Sequence, residues 1–154
     1  MMIFKNVYKF KIKSNNDKRG FFREIFKLNC LDYKSSLKQI SHSYIKKNIL
    51  KGWHFHKKQT QWNYLVQGKI IVFLVDKRKN SKTFKKVKSF ILDSEKKNYI
   101  YCFPPNIGHA YFTLKKNNHM IYGTSGYYDL FEEYKELFDK KLLNKISSIN
   151  IYEK

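Results

Sequence analysis

Cysteine and proline are scarce in this 154-residue chain, which contains two of each. Cys30 and Cys102 form neither a CxxC pair nor a disulfide framework, so the sequence predicts a reduced protein in the cytoplasm. The two prolines stand together, and no low-complexity segment or linker divides the chain. Because one domain typically has about this length, residues 1–154 are predicted to form a single domain.

Long apolar runs are also lacking. No stretch approaches the roughly 18 consecutive apolar residues that a membrane-spanning helix needs, which predicts no membrane segment. The N-terminal stretch MMIFKNVYKFKIK alternates between apolar and polar residues. A signal peptide has a continuous apolar region instead, so the sequence predicts none.

Acidic residues are few, 12 against 32 lysines and arginines, which gives a formal net charge of +20. Such a field attracts phosphate groups of any kind, including the diphosphate of a nucleotide sugar. The lysines are spread along the whole chain, and only Arg19, Arg23 and Arg78 are arginines. Because proteins that read nucleic acids rely on arginine and on clustered charge, no nucleic-acid partner is predicted.

Short apolar or alternating runs between turn residues make up most of the sequence, and aromatic residues, which favour strands, are abundant. Helical spacing is confined to Leu130–Lys145. The pattern predicts an all-β sandwich or barrel with one short C-terminal helix. The predicted strands are Ile3–Ile12, Phe21–Phe26, Leu37–Lys46, Leu50–His56, a hairpin over Gln61–Val75 broken at Gln67 and Gly68, Phe84–Leu92, Asn98–Phe103, Ala110–Leu114 and His119–Gly123, with Ser148–Tyr152 as a further candidate.

Three histidines are the main candidates for chemistry. His54 and His56 are two residues apart, so both imidazoles lie on one face of a strand, and His109 follows the double proline. With Gly52, Gln61 and Gly68, this spacing resembles the cupin motifs, which implies a double-stranded β-helix, or jelly roll. The same resemblance implies, as one alternative, a metal-dependent enzyme with His54, His56, Gln61 and His109 as ligands. An amide ligates divalent metals less well than the carboxylate that cupins have at the Gln61 position.

A second resemblance extends over nearly the whole chain. Six segments, taken in order, resemble motifs of the dTDP-4-dehydrorhamnose 3,5-epimerases: Asp17–Glu24, Gln39–Ser43, Leu50–His54, Val75–Phe84, Phe103–Phe112 and Ile121–Tyr128. This resemblance implies epimerisation at C3, at C5 or at both, on a nucleotide-linked 4-keto-6-deoxy sugar. It implies proton abstraction beside the ketone, an enolate, and return of a proton to the other face, with no cofactor. It also implies a homodimer that exchanges an N-terminal strand, with Ile3–Ile12 as the candidate.

The epimerase resemblance assigns roles residue by residue. It implies that His54 is the base, Tyr122 the acid, and Asp139 the carboxylate that pairs with the base. A carboxylate in that place would fix the tautomer of the imidazole and stabilise the imidazolium. The implied substrate-binding residues are Arg19 and Lys51 for the diphosphate or sugar, Phe22, Glu24 and Gln39 for the nucleotide or sugar, and His109 in the pocket wall.

Two departures from the epimerase pattern keep another reaction open. Lys51 stands where the family has arginine, and Gln61 falls near the position of the lysine that stabilises the enolate. The Gly52–Lys57 stretch, followed by Gln61 and Gly68, also resembles the motif of dTDP-sugar 3,4-ketoisomerases. That resemblance implies proton transfer between neighbouring carbons by His54 and His56. A binding module that keeps the fold without the chemistry is a further alternative.

Overall fold

The computed structural model describes residues 1–26, 37–96, 98–140 and 143–144. Its strands, in chain order, are β1 (Met2–Phe4), β2 (Val7–Lys11), β3 (Ser14–Asp17), β4 (Gly20–Arg23), β5 (Gln39–Ile45), β6 (Leu50–Phe55), β7 (Gln61–Gln67), β8 (Lys69–Asp76), β9 (Val87–Asp93), β10 (Tyr99–Phe103), β11 (Ile107–Thr113), β12 (Asn118–Thr124) and β13 (Tyr134–Lys135).

Two antiparallel sheets form the body of the protein. One has the strand order β1-β2-β10-β7-β12-β5, and the other has the order β13-β6-β11-β8-β9. Strands β3 and β4 form a separate hairpin. This architecture confirms the predicted all-β jelly roll, in which two sheets bury their inner faces against each other. The predicted domain limits, 1–154, stay a prediction.

The centre of the sandwich is apolar because β7 and β8 are buried over most of their length. The turn between them requires a glycine. Gly68 has a φ of +108°, and a Cβ on it would lie 2.3 Å from Asn118 Oδ1. The break predicted at Gln67 and Gly68 is therefore confirmed. The hairpin predicted over Gln61–Val75 is wrong, because β7 and β8 belong to different sheets and do not pair with each other. The largest core cluster includes Val7, Leu65, Ile70, Val72, Leu74, Leu92, Phe103, Ile107 and Met120.

The loop after β8 is held by one buried carboxylate. Asp76 accepts hydrogen bonds from Arg78 Nε (2.8 Å), Ser81 Oγ (2.6 Å) and Thr83 Oγ1 (2.6 Å). These bonds keep the pKa of Asp76 below its usual value against the effect of burial. Arg78 also donates to the Lys5 carbonyl at 2.7 Å. The Val75–Phe84 motif is thus a structural one that fastens this loop to the β1–β2 turn.

Two predicted elements are wrong in their extent. The strand Ile3–Ile12 is interrupted at Asn6, whose φ is 61°, so β1 and β2 fold against each other. The helix predicted to begin at Leu130 is a 3-10 turn over Leu130–Glu132 followed by β13, which pairs with β6. α-Helical conformation is confined, in the described residues, to Lys140, Leu143 and Asn144. Ser148–Tyr152 lies outside the described residues.

The helical spacing misleads because the apolar residues that create it do not share a buried face. Phe131 is 88% exposed and Leu137 is 96% exposed. Tyr134 instead stacks on Phe55, with ring centroids 5.0 Å apart. Pairing with the edge of a sheet therefore decides the conformation of this segment, and local periodicity does not. No helix in the described ranges has the length and apolar character needed to cross a membrane.

Candidate active site

A cavity of about 300 Å³ opens between the two sheets. Most of the residues that the sequence nominates meet there, although they come from strands far apart in the chain. Those that line the cavity are Gln39 on β5, Lys51 and His54 on β6, His56 just after β6, Gln61 on β7, His109 on β11 and Tyr122 on β12. The structure therefore brings seven of the eleven nominated side chains to one place.

Strand β6 carries the histidines into the cavity because it packs closely on β11. His54 is the register partner of His109 in that pair. Gly52 makes the approach possible: its φ is +120°, and a Cβ on it would lie 2.6 Å from the His109 carbonyl oxygen. The His109 ring centroid lies 6.1 Å from that of His54 and 5.6 Å from that of His56.

His54 lies against a carboxylate. Its Nδ1 lies 2.7 Å from Glu133 Oε1, and each side chain is 17% exposed. Burial lowers the pKa of His54, and the Glu133 carboxylate acts in the opposite direction. The imidazole is therefore neutral near pH 7, with the proton on Nδ1 and a basic lone pair on Nε2. This is the state that a general base requires.

His56 is held in the same tautomer by a different acceptor. Its Nδ1 lies 3.0 Å from the backbone carbonyl of Glu132. A carbonyl only accepts, so Nδ1 carries the proton and Nε2 is again the basic atom. Burial lowers the pKa of His56, and burial also lowers the pKa of His109 to about 3. The cavity therefore presents neutral imidazoles.

Two tyrosines supply protonated groups that can donate. Tyr122 on β12 is half-buried, and burial raises its pKa. Tyr111 on β11 also lines the cavity, and burial raises its pKa to about 12. Both phenols are therefore protonated near pH 7 and can donate. The cavity holds imidazole bases and phenol acids in one enclosure, an arrangement that suits removal and return of a carbon-bound proton.

The family model described as dTDP-4-dehydrorhamnose 3,5-epimerase matches residues 2–145. The chain belongs to this epimerase family. Curated relatives include the dTDP-4-dehydrorhamnose 3,5-epimerase of Salmonella typhimurium, 31% identical over 119 residues, which cover 73% of this chain and 64% of that protein. The Shigella flexneri enzyme is 29% identical over 142 residues, or 88% of this chain and 78% of that protein.

Solved structures agree with the assignment to the epimerase family. The dTDP-4-dehydrorhamnose 3,5-epimerase of Bacillus anthracis, crystallised with TDP and PPi bound, superposes with a TM-score of 0.85 at 29% identity. The match covers 92% of this chain and 85% of that one. The Legionella pneumophila epimerase has the same fold, with a TM-score of 0.84 at 24% identity.

The carboxylate partner of His54 differs from the prediction made with the epimerase motifs. The structure places Glu133, and not Asp139, against His54. Asp139 is exposed and does not line the cavity. The reason is the path of the segment after the 3-10 turn, since β13 pairs Lys135 with His54 and leads the chain away from the cavity beyond that point. Sequence reasoning missed Glu133 because no local pattern distinguishes it from Glu132.

Three residues that the epimerase motifs nominate for substrate binding do not line this cavity: Arg19, Phe22 and Glu24. They lie on or just after the β3–β4 hairpin. Arg19 is 84% exposed and pairs with Asp17 at 2.7 Å, and Phe22 is 64% exposed. Within one chain, Arg19 and Phe22 therefore face solvent and not the cavity.

Amide side chains form much of the polar wall of the epimerase-family cavity. Gln61 is 6% exposed, and its Oε1 has no hydrogen-bond partner in the structure. Asn63, two residues further along β7, faces the same way and was missed. The sequence feature that could have identified Asn63 is the period-two pattern, which places polar residues at 61 and 63 on one face of a buried strand. An orphaned buried amide of this kind is ready to bond a polar ligand.

The metal alternative does not fit the geometry. Among the described residues, no group of three or more His, Cys, Asp or Glu side chains is arranged to hold a metal ion. Gln61 is a weak ligand for divalent metals. We therefore derive no step through a metal in this cavity.

Proposed function

We propose that the protein epimerises C3, C5 or both in a nucleotide-linked 4-keto-6-deoxy sugar. The observation that carries the proposal is the 2.7 Å contact of His54 Nδ1 with Glu133, in a cavity that also contains Tyr122. A buried imidazole with a carboxylate behind it is a base whose conjugate acid is stabilised as it forms. Membership of the epimerase family supports the reaction class.

His54 Nε2 removes the proton from the carbon beside the C4 ketone. The electron pair of the broken C–H bond forms the C–C double bond, and the carbonyl electrons move to oxygen to give an enolate. Tyr122 then gives its phenolic proton to the opposite face of that carbon, and the ketone forms again. Water returns a proton to the Tyr122 oxygen and takes one from His54, which balances the cycle.

The enolate oxygen needs a partner with hydrogens to donate. Gln61 and Lys51 both line the cavity and can donate to it. The Gln61 amide is neutral, so it stabilises an oxyanion less than the family lysine would. We propose that the Gln61 amide contacts the C4 oxygen and that the Lys51 ammonium serves the diphosphate or the sugar.

We also propose a cytoplasmic homodimer with an exchanged N-terminal element. Strand β2 pairs with β10 of its own chain, which argues against Ile3–Ile12 as that element. The β3–β4 hairpin is the better candidate because it belongs to neither large sheet and exposes Phe21 and Phe22 at 62% and 64%. Arg19, Phe22 and Glu24 would then reach the cavity of the second copy. A monomeric protein in sedimentation experiments would contradict this proposal.

Deuterium exchange tests the chemistry directly. A dTDP-linked 4-keto-6-deoxyhexose is incubated with the protein in D₂O, and proton NMR follows the signals at C3 and C5. We expect deuterium at one or both carbons, and no enzymatic exchange with His54→Asn. UDP- and GDP-linked substrates in parallel identify the nucleotide. Exchange that persists in His54→Asn would refute the assignment of the base.

A second candidate, 3,4-ketoisomerisation, is favoured by one observation. His56 is fixed with a basic Nε2 in the same cavity as His54. Two such bases can move protons between neighbouring carbons through an enediol. The product discriminates the reactions, since the ketoisomerase moves the carbonyl carbon signal in ¹³C NMR from C4 to C3. The epimerase leaves the ketone at C4.

A further inference from the structure

A second pair of histidines lies outside the cavity, on the outer face of the six-stranded sheet. His42 is on β5 and His119 is on the neighbouring strand β12. His42 Nε2 lies 3.0 Å from His119 Nδ1, and the two rings stack with centroids 5.2 Å apart and an angle of 15° between their planes. Nothing in the proposed reaction uses this pair.

The surroundings keep the His119 ring in place, and His42 contacts that ring. Tyr44 is the direct register partner of His119, and its ring lies 5.1 Å from the imidazole. The Tyr44 hydroxyl donates to Asn117 Oδ1 at 3.2 Å, which fixes the tyrosine in turn. His42 is exposed and His119 is partly buried, so solvent and ions reach the two facing nitrogens.

The facing nitrogens, now joined by a hydrogen bond, are close enough for one metal ion to bind both after each ring turns in its plane. Metal–imidazole bonds of about 2.05 Å and a nitrogen separation of 3.0 Å give a ligand–metal–ligand angle of about 94°. That angle is close to the right angle of square-planar or octahedral coordination. A tetrahedral ion would need the nitrogens roughly 3.3 Å apart. Imidazole ligands and right-angle geometry together favour Ni²⁺ or Cu²⁺.

We propose that His42 and His119 form a surface binding site for a divalent late transition-metal ion, Ni²⁺ or Cu²⁺, with water completing its coordination. His42 ligates through Nε2 with its proton on Nδ1, and His119 ligates through Nδ1 with its proton on Nε2. Each imidazole stays neutral, so the ion replaces only the hydrogen bond between the rings.

The position of the site gives it a structural consequence. Strand β5 is the edge of its sheet and pairs only with β12 among the described strands. Its inner face carries Gln39 and Ser41, which line the cavity. An ion bound by His42 and His119 therefore links the edge strand β5 to β12. This link stabilises the wall of the cavity that β5 forms.

Calorimetric titration of the tag-free protein with Ni²⁺ tests the proposal. We expect one ion per chain, and at least a 10- to 100-fold loss of affinity in both His42→Gln and His119→Gln, because losing a ligand costs at least as much as losing an outer-shell partner. The matched control is His109→Gln, which removes an imidazole from the cavity and should leave Ni²⁺ affinity unchanged.

Thermal unfolding provides a second readout. Ni²⁺ should raise the Tm of the wild-type protein and leave that of His42→Gln unmoved, since a ligand stabilises only a fold that binds it. The Tm of each variant without metal shows whether it is folded. Absence of wild-type binding, wild-type affinity in His42→Gln, or loss of binding in His109→Gln would each overturn the proposal.

Discussion

Replacing Glu133 with glutamine keeps the shape of the side chain next to His54 but removes its charge. In the wild-type protein, Glu133 Oε1 lies 2.7 Å from His54 Nδ1, and both side chains are largely buried. The carboxylate contributes little while His54 is neutral and much more once His54 has taken a proton. The substitution should therefore slow the proton-abstraction step and have little effect on substrate binding.

The size of the expected decrease in kcat follows from the distance between the charges of His54 and Glu133. A 2.7 Å contact puts the two charge centres about 4 Å apart, which is worth about 4 kcal/mol at an effective dielectric constant of about 20. Glutamine retains a neutral hydrogen bond worth about 1 kcal/mol. The remaining loss of about 3 kcal/mol corresponds to a roughly 100- to 200-fold decrease in kcat.

The assay is the initial rate of deuterium incorporation in D₂O at saturating substrate, with KM measured alongside. Glu136→Gln is the matched control, since Glu136 pairs with Lys77 and does not line the cavity. Asp139→Asn tests the carboxylate that the sequence nominated, and its rate should stay within twofold of the wild-type rate. A Glu133→Gln rate within threefold of the wild type, or a large loss in Asp139→Asn, would refute the pairing of Glu133 with the base.

Three other outcomes are expected. Because burial lowers the pKa of His54, kcat/KM should hold as the pH falls and decline only below about 6.5, and Glu133→Gln should move this decline to still lower pH. Asp76→Asn, which removes a fully buried charged acceptor, should lower the free energy of unfolding in urea by about 3 kcal/mol and leave KM unchanged. Gly52→Ala should lower stability by about 1 to 3 kcal/mol, because its methyl group would meet the His109 carbonyl at a positive φ, and should slow exchange by displacing His54. A flat pH profile down to pH 4, wild-type unfolding of Asp76→Asn, or full activity of Gly52→Ala would count against these arguments.

The parts of the site that lie on strands could be predicted from the sequence, because a strand has a fixed period. His54 and His56 share a face by their spacing alone, and both line the cavity. Tyr122 and His109 came from the family resemblance, and both line the cavity. For these residues, the local backbone geometry already determines the direction of the side chain.

The parts that depend on tertiary pairing could not be predicted. Glu133 reaches His54 because two residues of β13 pair with the edge strand β6, and nothing within the segment specifies that register. The apolar spacing around Phe131 and Leu137 suggests a helix, but burial does not support one. Likewise, no sequence pattern reveals that Arg19 lies on a hairpin that points away from the cavity of its own chain.

The acceptors that fix His54 and His56 belong to consecutive residues, the Glu133 carboxylate and the Glu132 carbonyl. Two adjacent residues thus fix the tautomers of both rings. A displacement of this short turn from β6 would therefore remove both acceptors in the same event. The tautomers of both rings therefore depend on the position of a few residues that are distant in sequence from either histidine.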